Sequence, residues 1–240
     1  MGSDDRSPEI AAHVAVAAIF LLAVAASAVL SWTGGDSYRI LFGDLDPLLV
    51  TATIAALGAF ALHRLAALEW FEAGASSRRS ILSATGLGAA LTIPVILVDL
   101  AGGFPAGMNV RFPESLLFYP SIALVAESAF HLVPLAMVAA LWRWTTVDAK
   151  RARLTAMGVA ALIEPVLQVV WGSEMSPTWA NAYVGAQLLV FNVVGLEIFR
   201  RSGFVALYAF RLGYYLIWHI TWGYLRLPLL FEAGTFAGTW

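Results

Sequence analysis

Glu127 and His131 stand four residues apart in "VAESAFHLVP", inside an apolar stretch with no other charge. Glu164 and Gln168 repeat the spacing in "ALIEPVLQVV". Arg211, Tyr215 and His219 extend it to three positions in "RLGYYLIWHITWGY". A step of four advances about 40° around an α-helix, so each set shares one helix face. Glutamate and histidine are suited to general acid–base work: a desolvated carboxyl can take a proton from water and pass it to a leaving group. A second use of the same residues is structural. Arg211 would neutralise Glu127 or Glu164, and the histidines and Gln168 would satisfy the remaining hydrogen bonds.

The elements that carry these residues are long and apolar all round. The chain has 240 residues, 60% of them hydrophobic and 12% charged, against about 25% charged in an ordinary soluble domain. Blocks of this length and polarity read as membrane-spanning helices. Seven are expected, at about 10–33, 47–68, 81–102, 116–142, 153–173, 178–199 and 203–226. Pro134 is expected to kink the fourth, and Pro165 to loosen the hydrogen-bond ladder beside Glu164. The fold class is therefore all-α, a polytopic membrane protein in which residues 1–240 form a single integral membrane domain.

Basic residues alternate between the connecting patches. Arg64, Arg78 and Arg79 occupy one; Arg143, Lys150, Arg151 and Arg153 another; Arg200 and Arg201 a third. The patches between them hold Arg39, Arg111 and no third basic residue. Basic residues flank cytoplasmic ends, so the N-terminus is expected inside and the C-terminus outside. Trp32, Trp70, Trp142, Trp144 and Trp171 fall at span ends, where interfacial belts form. The first run carries "ASA" at 26–28, but an acidic segment precedes it. It reads as a retained helix rather than a secretory signal.

Several classes are excluded. A net charge of −2 gives no electrostatic basis for nucleic-acid binding. The absence of cysteine removes disulfides, iron–sulfur clusters and thiol chemistry. Lys150, the single lysine, lies in a polar patch, which leaves a retinal-type Schiff base no partner within the bundle.

Depth brings the polar residues together. Glu127 and Glu164 fall near the centres of their spans, Arg211 about 5 Å before the centre of the seventh and His219 about 8 Å after it. An ionisable group at a helix centre costs about 2.5–3.5 kcal/mol on insertion scales and faces protein or a wet cavity. Glu127, His131, Glu164 and His219 are thus the candidate catalytic groups, with Gln168, Arg211 and Tyr215 in support. The same glutamates and histidines could hold zinc, although no HExxH helix is present; the working expectation is no metal and no cofactor. His13 and His63 read as interfacial and Asp99 as a group near the end of the third span. Asn192 could point inward, and Glu197 is expected to pair with Arg200 or Arg201.

Over about 116–226 the chain resembles the CPBP family of intramembrane proteases, which includes the CAAX prenyl endopeptidases and abortive-infection proteins. The family's Glu-Glu-x-x-x-Arg motif lies over "AESAFH", with Ala126 at the first glutamate, Glu127 at the second and His131 at the arginine. Its Phe-x-x-x-His motif lies over "EPVLQ", with Gln168 at the histidine. Its final His-x-x-x-Asn falls on His219 and Gly223. The resemblance implies a glutamate that activates water and histidines that support the oxyanion. It implies a hydrolase of the cell membrane, an endopeptidase acting on a membrane-associated peptide or protein. The alternative is a non-catalytic relative: a carrier, proton-linked transporter or partner-binding scaffold.

Overall fold

The computed structural model describes residues 6–33, 36–68, 70–71, 76–172 and 178–232. The described chain is helical, and six of its helical stretches are long and apolar enough to cross a membrane. They are α1 (Arg6–Trp32), α2 (Pro47–Ala66), α3 (Arg78–Leu100), α4 (Ser115–Trp142), α5 (Ala149–Gly172) and a 53-residue stretch, Trp179–Phe231. Together they suggest a multi-pass membrane protein. Starts are set by ordinary caps: Asp46 accepts from the Leu49 amide with Pro47 in the first turn, and Ser77 accepts from Ser80.

The longest stretch contains a reversal, at the boundary expected between the segments 178–199 and 203–226. Gly203 has φ 82° and ψ 177°, a backbone conformation that glycine adopts without steric cost. The chain turns back there, and the rings of Phe191 and Phe210 stack with centroids 4.4 Å apart. On a straight helix those positions would lie about 28 Å apart. The stretch is therefore a hairpin of α6 (178–202) and α7 (204–232). Ser76 stitches the turn: its hydroxyl donates to the Ser202 carbonyl and accepts from the Ala206 amide at 3.2 Å.

α4 is the central helix. Its span is 61% buried within the protein, against 22–28% for the others. The outer helices turn Leu21, Phe60, Leu82, Leu97 and Val190 outward, which is why the sequence is apolar all round rather than striped. Ahead of Pro134 the helix opens into a widened π-helical turn over Glu127–Leu132. Pro134 has no amide to give the Phe130 carbonyl and its ring crowds that group, so the preceding turn opens. Pro165 leaves the Ala161 carbonyl without its helical donor, and Asn192 of α6 supplies one at 3.3 Å. Gln187 does the same for Leu91 at 2.8 Å, where α3 breaks between its Arg78–Ala90 and Ile93–Leu100 segments.

The connecting segments gather by end. Trp70 meets Trp142, and Arg153 donates to the Trp70 carbonyl, so the patches after α2 and α4 share one end. Asp99 meets Arg226, and Phe112 meets Tyr224, at the other. Trp32 and Trp144 are exposed, and Trp70 is buried. Its ring packs on that of Trp142, with centroids 5.4 Å apart. The Trp171 side chain lies outside the described residues.

α3 and α7 approach backbone to backbone. A Cβ on Gly88 would overlap the Phe210 carbonyl, and one on Gly213 would overlap that of Thr85. Gly86, one turn face away, has open space around it. Gly88→Ala should therefore lower stability by about 1–3 kcal/mol, read as a lower thermal midpoint in detergent. Gly86→Ala should hold or raise the midpoint, since alanine is the better helix former by up to about 1 kcal/mol. Equal responses would contradict this helix contact.

Candidate functional site

The four-residue spacings do place their side chains on common faces, and three helices bring those faces together. Glu127 from α4 accepts from Arg211 of α7 on Oε1 and is bonded to His131 Nδ1 at 2.5 Å on Oε2. Arg211 also forks onto Glu164 of α5, Nη1 to Oε1 at 3.0 Å and Nη2 to Oε2 at 3.1 Å. A further Nη1 donation reaches the Tyr215 hydroxyl at 3.4 Å. The guanidinium lies over the Phe191 ring, 5.0 Å from its centroid, a face that attracts cations. Arg211 is thus the hub of the cluster, joining α4, α5 and α7. The bidentate fork explains why arginine rather than lysine stands there.

Burial divides the cluster in two. Glu127 and His131 are fully buried, and among the described residues His131 Nε2 has no hydrogen-bond partner. Neither lines the adjoining cavity of about 110 Å³. Glu164, Arg211, Tyr215 and His219 do line it, with Gln168 at its edge. Both oxygens of Glu127 are engaged within the protein, one by Arg211 and the other by His131. Gln168 is exposed and takes no part in the hydrogen-bonded cluster. Among the described residues no three His, Asp or Glu side chains converge as metal ligands. The zinc set of Glu127, His131, Glu164 and His219 therefore does not assemble as one ligand group.

His219 is held separately from the cluster. It lies in a second π-helical turn, Leu216–Trp222. Its ring stacks on Tyr119 at 4.5 Å and meets Tyr215 edge-on at 4.9 Å. Its Nδ1 bonds Asn109 Oδ1 at 2.7 Å. An amide oxygen only accepts, so Nδ1 carries the hydrogen and Nε2 is left with a lone pair. Asn109 comes from the α3–α4 connection and packs against Gly223, where a Cβ would lie 3.0–3.2 Å from its side-chain atoms. Gly223 thus leaves room for Asn109 beside His219.

The connection bearing Asn109 is fixed by a second buried ion pair. Asp99 accepts from Arg226 on both oxygens at 2.6 Å, and from Trp222 at 2.7 Å. Arg226 also donates to the carbonyls of Phe104 at 3.1 Å and Pro105 at 2.9 Å. Phe104 and Met108 from this connection form one wall of the cavity. Sequence reasoning placed Asp99 at its span end without a partner. An acid and a base near the same end of two spans was the available signal for the pair. Nothing local marks Asn109. His13 and His63 are exposed, and Glu197 pairs with both Arg200 and Arg201.

No protein-family model matches the chain, and no curated protein and no solved structure matches it.

Arg211→Leu would leave two buried carboxylates without a countercharge. A loss of about 3–5 kcal/mol is expected, measured by chemical denaturation in mixed micelles. Adding Glu127→Gln and Glu164→Gln to the same chain should recover much of it, because no unpaired charge remains. Equal losses in the single and triple variants would refute Arg211's role as the countercharge.

Proposed function

We propose that this is a multi-pass protein of the cell membrane with seven spans, its N-terminus inside and its C-terminus outside. The alternation of basic patches supports this topology, as does the hairpin at Gly203, which turns one long apolar stretch into two spans. We further propose a divergent intramembrane endopeptidase that hydrolyses a membrane-associated peptide or protein. One observation carries this reading: Glu164, Arg211, Tyr215 and His219 line a single cavity among the helices. They offer it a base, a carboxylate and two donors.

In this reading His219 Nε2 takes a proton from water, and the water oxygen attacks the scissile carbonyl carbon. Asn109 keeps the histidine in the tautomer that can do so. The developing oxyanion is met by the Tyr215 hydroxyl hydrogen and the Arg211 guanidinium. The proton then passes from Nε2 to the amide nitrogen as the C–N bond breaks, giving a carboxylic acid and an amine. Glu164 orients Arg211 and turns its remaining lone pairs toward the attacking water. The glutamate dependence implied by the resemblance moves from Glu127 to Glu164, while Glu127 and His131 hold Arg211 from behind.

The sealed position of Glu127 and His131 favours a second reading, a non-catalytic carrier, proton-linked transporter or scaffold built on the same Glu/His/Arg network. Cleavage of a library of lipid-anchored peptides by the protein in vesicles separates the two. His219→Ala should lower kcat/KM by about 10²–10⁴-fold, the range of general-base catalysis, with the folded fraction unchanged. Glu164→Gln should lower it as well. Cleavage that survives His219→Ala would refute the assigned base. No cleavage, with substrate-dependent proton flux into the vesicles, would establish the transporter instead.

A further inference from the structure

A second hollow lies outside the polar cluster, between the start of α3 and the end of α6. It has a volume of about 280 Å³. Its mouth holds Arg79 with the hydroxyls of Ser80, Ser83 and Ser202; its lower part is formed by Leu87 and Ile198. Arg79 and Leu87 are eight residues apart on one helix, about 12 Å along its axis. The hollow therefore runs from a cationic, hydroxyl-lined mouth at the bundle end into apolar wall at membrane depth.

Among the described residues no carboxylate pairs with Arg78 or Arg79. Glu197, the acid on the facing helix, is taken up by Arg200 through Nε at 2.7 Å and Nη2 at 2.6 Å, and by Arg201 as well. Arg79 and Ser80 lie in the first turn of α3, at the positive end of that helix. Ser77 occupies the Ser80 amide and shares a hydrogen bond with the Ser80 hydroxyl, which leaves Ser83 and Ser202 as the side-chain donors for a ligand. A guanidinium and hydroxyls above an apolar slot suit an anionic headgroup whose chains continue into the bilayer.

We propose that the α3–α6 hollow is a binding site for an anionic phospholipid, with its phosphate at Arg79, Ser83 and Ser202 and the start of an acyl chain along Leu87 and Ile198. The inference rests on the chain crossing a bilayer and is independent of any catalytic activity.

The test is native mass spectrometry of the full chain released from nanodiscs containing phosphatidylglycerol and phosphatidylcholine in equal amounts. The expected result is an excess of bound phosphatidylglycerol of about fivefold or more in the wild type. Arg79→Gln and Ser83→Leu should each abolish that excess with an unchanged thermal midpoint, since both side chains are exposed. Arg143→Gln, an exposed arginine outside the hollow, should leave it intact. Equal retention of the two lipids by the wild type would overturn the proposal, as would an excess that survives Arg79→Gln. Displacement of the lipid by millimolar glycerol phosphate would show a soluble phosphate site in its place, and would overturn the proposal too.

Discussion

The guanidinium of Arg211, held between the carboxylates of Glu127 and Glu164, is the constraint around which the rest of the bundle is arranged. A charge away from water must be neutralised and hydrogen-bonded where it stands. Doing so requires α4, α5 and α7 to meet at one depth. That requirement makes α4 the central helix and gives its polar residues a place away from lipid. It also fixes the rotation of each helix, since the three faces defined by four-residue spacing must look at one point.

α7 is anchored twice. Arg211 ties it at mid-depth, and Arg226, fifteen residues on, ties it to Asp99 at the far end of α3. His219 falls between the two anchors. The second ion pair also holds the carbonyls of Phe104 and Pro105. It therefore sets the path of the segment that brings Asn109 to His219. A loop residue is positioned here by helix residues several turns away, and the histidine's tautomer is decided by that loop.

Prolines and glycines decide where helices open and where they close. Pro134 and Pro165 remove amide donors, and the consequences differ with their neighbours. The first produces a wide turn that carries Glu127 and His131. The second leaves a carbonyl that Asn192 claims from the next helix. Gly88 and Gly213 let α3 and α7 touch along their backbones. Small residues supply contact in lipid, where burial of apolar surface gives helices no net drive to associate.

Composition and periodicity alone determined that the chain is helical and apolar enough to cross a membrane several times. They also placed Glu127, His131, Glu164, Arg211 and His219 within one slab of depth, because spacing and span length are properties of a single helix. The turn at Gly203 was legible as a span boundary. Its reversal became definite only through the Phe191–Phe210 contact. Which carboxylate faces the cavity was decided by tertiary structure alone. Glu127 and Glu164 look alike in sequence, and only the packing of three helices around Arg211 seals one and leaves the other open. The partners of His219 and Asp99 were likewise hidden, because Asn109 and Arg226 are 110 and 127 residues away in the chain. Hydrogen bonds that close such distances leave no local pattern, and they form only when the helices have already met.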